Sequence, residues 1–221
     1  MPASILRALS VLLLTFSWSI SQAAQDGNAD LYDAVAPANS AFVRVLNLSE
    51  RNIEVTLSGK NKPQAVTSGQ FGGYRFVAPG KQRIAVGDKA LESELKANTA
   101  STVIYRDGTL LLIADQFVNE PRKAQIAFYN LTEKPAALKT VDGQHVVVEM
   151  ITRDQTGSRM VNELKIAFAA FAAFAAYAEA DKLASFDELF LKKGRSYSYA
   201  LLPEGNGYRA ITLANSIDPT E

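Results

Sequence analysis

The chain of 221 residues carries 23 basic and 23 acidic side chains, no cysteine and one histidine, His145. No disulfide or cysteine-borne lipid is available, a zinc site of three or four His and Cys ligands cannot be built, and the balanced charge lacks the basic excess of a nucleic-acid binder. A hydrophobic fraction of 48% suffices for packed cores and argues against wholesale disorder.

Residues 1–24 read as a cleavable signal peptide. Arg7 precedes the apolar run 8–18, and Ser21, Ala23 and Ala24 supply the small residues of a cleavage site after Ala23 or Ala24. The run falls short of the ~20 residues that span a bilayer. Residues 25–39 form a polar N-terminal arm, whose Leu31 and Tyr32 are expected to pack on the domain that follows.

The next stretch is written twice. SAFVRVLNLSERNIEVTL at 40–57 returns as KAQIAFYNLTEKPAALKT at 123–140, with Asn130 lying 130 − 47 = 83 positions after Asn47. Val43, Val45, Ile53, Val55 and Leu57 alternate with Arg44, Glu54 and Thr56, the period of a strand with one buried and one solvated face. Each copy is therefore expected to open with a hairpin whose loop holds Asn47 or Asn130. Asparagine suits a loop because its amide bonds nearby backbone. Both Asn-Leu-Ser and Asn-Leu-Thr also match the N-glycosylation pattern, although a repeated turn explains the recurrence without a glycan.

Further strands follow in the first copy. Tyr74 to Val77, the Pro79-Gly80 turn, Gln82 to Val86, Leu91 to Leu95, and a hairpin about Asp107-Gly108 give a small sandwich over 40–113. Residues 114–122 form a short linker stiffened by Pro121, expected to be open to proteases between halves that fold alone. The second domain spans 123–221. There Ile166-Ala167-Phe168 matches Ile84-Ala85-Val86, and Leu191 to Ala200 matches Leu95 to Ile104 at an offset of 96. The insertion between them contains the Phe/Ala-rich run 168–177. Its alanines favour a helix, but the repeat alignment outweighs them and predicts a lengthened strand and hairpin. The fold class is all-β: two tandem small antiparallel β-sandwich, Ig-like domains.

Candidate chemistry is sparse. Asp142 and His145 have an Asp-x-x-His spacing found in some hydrolases, without the nucleophile segment that accompanies it, so His145 reads as a surface residue leaving a turn. Gly69, Gly72 and Gly73 lack a following helix to bind phosphate. Tyr74, Tyr105, Tyr197, Tyr199 and Tyr208, with Arg75, Arg106 and Arg209, are candidates for a polysaccharide-stacking strip, although strand tyrosines more often pack at a core edge.

Asp30-Leu31-Tyr32, Ala36-Pro37, the strand Ser40 to Asn47, the opening of the second copy and Arg159 to Asn162 resemble the family of the alginate O-acetylation accessory protein AlgF. The resemblance implies a periplasmic protein required for acetylating the exopolysaccharide alginate. It would work beside a membrane acetyl-transfer protein and periplasmic acetyltransferases, and it brings no catalytic motif; no cofactor or metal is expected. On that basis the chain is expected to be a non-enzymatic adaptor bridging those proteins. The alternatives are an alginate-binding module, and an acetyl carrier or transferase using a serine or His145.

Overall fold

A computed structural model describes residues 36–118, 120–172 and 181–218, and these are strand and loop with no helix. The expected signal peptide, Leu31 and Tyr32, and residues 173–177 of the Phe/Ala-rich run lie outside the described residues.

The first half contains β1 (Ala41–Asn47), β2 (Ile53–Leu57), β3 (Gln64–Val66), β4 (Arg75–Val77), β5 (Gly80–Val86), β6 (Lys89–Leu95), β7 (Ala100–Arg106) and β8 (Thr109–Asp115). The second contains β9 (Ala124–Asn130), β10 (Ala136–Thr140), β11 (Val146–Ile151), β12 (Gln155–Val161), β13 (Leu164–Ile166) and β14 (Phe168–Ala172). It continues with β15 (Lys182–Ser185), β16 (Leu189–Leu191), β17 (Ser196–Glu204) and β18 (Gly207–Ala214). Sheets β4-β1-β7-β8 and β3-β2-β5-β6 form the first half, and β12-β9-β17-β18 and β11-β10-β14-β15 the second, beside the small β13-β16 pair. No sheet mixes strands from the two sides of the linker.

The repeat extends to pairing. Val43 lies opposite Ser101 in a parallel β1–β7 ladder, and Ile126 opposite Tyr197 in a parallel β9–β17 ladder, which fixes the 96-residue offset in three dimensions. These parallel pairs within otherwise antiparallel sheets are not visible in the sequence alternation, which reports burial and not strand direction.

Two expectations are corrected. β1 and β2 are not a hairpin, because β1 pairs with β4 and β7 while β2 pairs with β3 and β5 in the facing sheet. The asparagine loop is an arch from one sheet to the other, and so is its copy between β9 and β10. Nor do β1 and β9 have a solvated face. Val43, Val45 and Val103 point into the first core, and Ile126, Phe128 and Leu138 into the second. From the opposite faces Leu46 and Ile104 meet Tyr129, Leu131, Ala200, Leu202 and Ile211 in a third cluster shared by the halves. The outer face of each repeat is covered by the other repeat, so the four larger sheets stack in four layers.

Residues 168–172 of the Phe/Ala-rich run are strand, paired on both sides. Its three-residue aromatic spacing places Phe168 and Phe171 on opposite faces. Phe168 enters the second core, and Phe171 lies beneath Lys139, whose Nζ is 5.5 Å from the ring centroid. Ala169 and Ala170 are fully buried.

Candidate functional site at the seam between the halves

Arg44 is the charged residue of an otherwise apolar stretch of β1, and the alternation that puts Val43 and Val45 inward turns it toward the second half. It is 1% exposed, so its cation must be satisfied by protein. Nε donates to Thr102 Oγ1 at 3.0 Å, Nη1 to Asn215 Oδ1 at 2.8 Å, and Nη2 to Tyr129 OH at 3.0 Å and Ser198 Oγ at 2.7 Å. The guanidinium also lies 4.2 Å from the Phe71 ring centroid and 4.3 Å from that of Tyr74, within cation–π range.

The balancing charge is Asp115 at the end of β8, reached through hydroxyl relays. Tyr129 OH donates to Oδ1 at 2.7 Å, and Tyr74 OH and Thr102 Oγ1 donate to Oδ2 at 2.7 and 2.8 Å. Burial pushes the Tyr74 phenol well above its ordinary range and Tyr129 in the same direction, with Arg44 opposing both. For Arg44 itself burial pulls downward, but the oxygens of Tyr129, Tyr74 and Asp115 outweigh it and leave the value raised. The cation is held charged inside the seam.

Over this network opens a pocket of about 250 Å³, lined by Phe42, Tyr74, Asp115, Gln125, Tyr129 and Asn215 among others. Its polar groups are largely engaged with one another. Gln125 donates to the carbonyl of Gln116 and accepts from Val118 N–H. Asn215 accepts from Ser198 Oγ at 2.9 Å and donates to Ser196 Oγ at 3.1 Å. Phe117, at the rim, is 59% exposed. Ser196 lines this pocket and His145 does not, so no hydroxyl stands beside an imidazole there, the usual requirement for a serine nucleophile.

The remaining sequence candidates disperse. His145 is exposed on the turn after β10, where its backbone N–H donates to Thr140 Oγ1 at 3.1 Å. The Asp142 carboxyl is held below its usual range by hydrogen bonds from the Thr140 hydroxyl and then the Gln144 N–H. It is a turn-former. Tyr197 and Tyr199 lie in the second core, Tyr105 packs against the first and Tyr208 against the second. Arg75 is buried, Arg106 pairs with Asp154 across the seam at 2.6 Å, and Arg209 pairs with Glu204. No continuous aromatic and basic strip is assembled from them.

Asn47 and Asn130 are arch residues with matching contacts. Each is fully buried. Asn47 Nδ2 donates to the carbonyls of Arg51 and Val66, and its Oδ1 accepts from the Ser49 N–H and hydroxyl. Asn130 repeats this with Lys134, Ile151 and Thr132. With both amide hydrogens engaged, neither nitrogen is presented as a glycan acceptor. Gly69 also serves structure: its φ is +67° and the Arg209 guanidinium lies where a Cβ would stand. The sequence reading missed Arg44 and Asp115, because one repeat period marks Arg44 as solvated and only the presence of the second repeat buries it.

Against known proteins, the family model described as "Alginate O-acetyl transferase AlgF" matches residues 14–198. The "Alginate biosynthesis protein AlgF" of Azotobacter vinelandii is 33% identical over 159 residues, covering 72% of each chain. The protein of the same name from Pseudomonas aeruginosa PAO1 is 29% identical over 148 residues, covering 66% of this chain and 68% of its own. Among solved structures, the C-terminal domain of AlgF from P. aeruginosa is similar at 22% identity and a TM-score of 0.37, covering 42% of this chain and 99% of that domain.

Proposed function

The chain belongs to the AlgF family, and from that membership we propose that it acts in alginate O-acetylation as a non-catalytic periplasmic adaptor, bridging acetyl-transfer proteins. The observation that carries this reading is how the seam uses its polar groups. Arg44, Asp115, Tyr74, Tyr129, Ser198 and Asn215 bond to one another, which fixes two sandwiches as one block and commits these groups to structure. The working area of such a block is its outer surface. Export through the 1–24 leader belongs to the same proposal.

Co-purification of the mature chain with the periplasmic acetyltransferases and the membrane acetyl-transfer protein of the same cell tests the reading. Stable complexes are expected, and elution of each protein alone in mild detergent would remove it. The transferase reading is tested separately: His145→Ala is expected to leave alginate acetylation at the wild-type level, and loss of acetylation at normal protein level would overturn the non-catalytic assignment. Of the residues that motivate the alternative polysaccharide-binding reading, Tyr197, Tyr199 and Arg75 are buried and Tyr74 and Arg106 are engaged at the seam.

A further inference from the structure

The two halves build one turn twice and give it different charge. In the first half Asn98, at φ +60°, donates its N–H to the Ser40 carbonyl at 2.8 Å, and Phe42 N–H donates to the Thr99 carbonyl at 2.8 Å. In the second half Gly194, at φ +74°, donates to the Lys123 carbonyl at 2.8 Å, and Gln125 N–H donates to the Arg195 carbonyl at 2.9 Å. These are the same bonds at the repeat offsets 123 − 40 = 83 and 194 − 98 = 96. Asparagine and glycine are the residues that reach this left-handed backbone most readily. Lysine is common to both copies at Lys96 and Lys192, but the first copy closes its turn with Ser40, Ala97 and Thr99 where the second has Lys123, Lys193 and Arg195. The geometry of the turn therefore does not require those three added charges.

Arg122 adds one more basic side chain beside Lys123. Glu120 pairs with Arg122 at 3.2 Å, and Glu163 accepts the Lys193 N–H at 3.2 Å, so positive charge is in excess here. Lys123, Lys192 and Lys193 are exposed, and none of them forms an ion pair with a described residue.

Next to this turn an apolar pair is held out to water. Phe117 is 59% and Val118 50% exposed, and Phe117 shares a pocket wall with Gly194 and Arg195. Phe117 belongs to none of the three apolar clusters. The backbone on both sides of it is clamped by the buried Gln125, whose Nε2 donates to the Gln116 carbonyl and whose Oε1 accepts the Val118 N–H. A buried amide is thus committed to fixing a loop whose aromatic ring contributes to no core.

We propose that Phe117 and Val118, with the neighbouring Lys123, Lys192 and Lys193, form the face that docks an acidic surface with an apolar hollow on one of the acetyl-transfer proteins, an inference resting on the adaptor reading above. Phe117 fills the hollow and the lysines meet carboxylates around it. An apolar anchor inside a charged rim is the ordinary anatomy of a specific interface. The Gln125 clamp orders the anchor before binding, which lowers the cost of association, and the lysine rim steers the approach.

The test measures binding of the whole mature chain to each purified acetyl-transfer protein by biolayer interferometry. Phe117→Ser is expected to weaken the tightest complex at least about tenfold. The triple reversal Lys123→Glu, Lys192→Glu, Lys193→Glu is expected to weaken it by at least about the same factor, chiefly through slower association. Met150→Ser, at an exposed apolar residue of β11, serves as control and keeps the wild-type affinity. Wild-type affinity in either of the first two variants overturns the face and leaves the adaptor standing. A ten-residue peptide alternating leucine with glutamate, titrated into the isotope-labelled mature chain, judges the face apart from those proteins. Amide shifts confined to residues 116–118, 123–125 and 192–195 are expected; no shifts there, or equal shifts with a leucine–lysine peptide, overturn it. If no acetyl-transfer protein binds the wild type, the adaptor fails, and the peptide result still decides the face.

Discussion

At the scale of single residues, the two buried asparagines show how a polar side chain can define an arch. Each amide makes two donations and two acceptances, which is its full capacity near the crossing point. Replacing Asn47 with alanine leaves two carbonyls and one N–H of the arch without that partner, at a cost of about 2–3 kcal/mol. Urea denaturation should show the loss, and Asn130→Ala should lose a similar amount; a change below about 0.5 kcal/mol in both would refute the account. The seam tyrosines give a second residue-level expectation. Their folded-state values lie above the ordinary phenol value of about 10. The stability they contribute is therefore fully present below that value and is lost as pH rises through the folded values. Melting temperature should be flat from neutral pH to about 10 and fall above it, with tyrosinate absorbance showing late-titrating phenols. A chain in which every tyrosine titrates at the ordinary value with no fall in melting temperature would contradict the buried network.

Individual elements show where sequence patterns carry information and where they stop. The alternation Val43-Arg44-Val45 correctly marks a strand, and its inner face is the one buried in the first core. It does not name the strand's neighbours, so it cannot tell the arch from a hairpin. It also could not see that Arg44 and Leu46 face a second copy of the same domain. The Phe/Ala-rich run illustrates the converse: alanine propensity favours a helix, yet pairing of residues 168–172 with β10 and β15 determines a strand, as tertiary context often overrides propensity. A further element-level constraint lies between β11 and β12. An added Cβ at Gly157 would stand 2.5 Å from Val148 Cγ1, and Val148 is packed in the second core. Gly157→Ala should therefore destabilise by about 1–3 kcal/mol, whereas at Gly207 an added Cβ comes no closer than 3.8 Å to Glu204 O and alanine should be tolerated. Thermal melts of the two variants decide the matter, and equal melting temperatures would sink the packing argument.

On the scale of the whole molecule, the repeat and the seam pull the expected behaviour in different directions. Each half has its own strands and its own core, which favours independent folding. Between them lie a shared apolar cluster, the Arg44 network, the Arg106–Asp154 ion pair and the Ser216–Asp218 segment that crosses from the second half to bond Tyr74 and Gln64. These contacts do not depend on an intact linker. A protease site inserted between Glu120 and Pro121 should therefore be cut without releasing the halves, and the two fragments should co-elute from a sizing column. Arg44→Met removes the cation while leaving Tyr129, Ser198 and Asn215 without their shared donor, and breaking one side of a buried charge network costs on the order of 3–5 kcal/mol. In the cut protein that loss falls on association, so the Arg44→Met fragments should separate at concentrations where the wild-type fragments stay together. Each separated half should keep a β-rich circular dichroism spectrum, because its own sandwich is untouched. Separation of the wild-type fragments on cutting would show that the seam contributes little, and the block on which the adaptor reading rests would give way to two tethered domains.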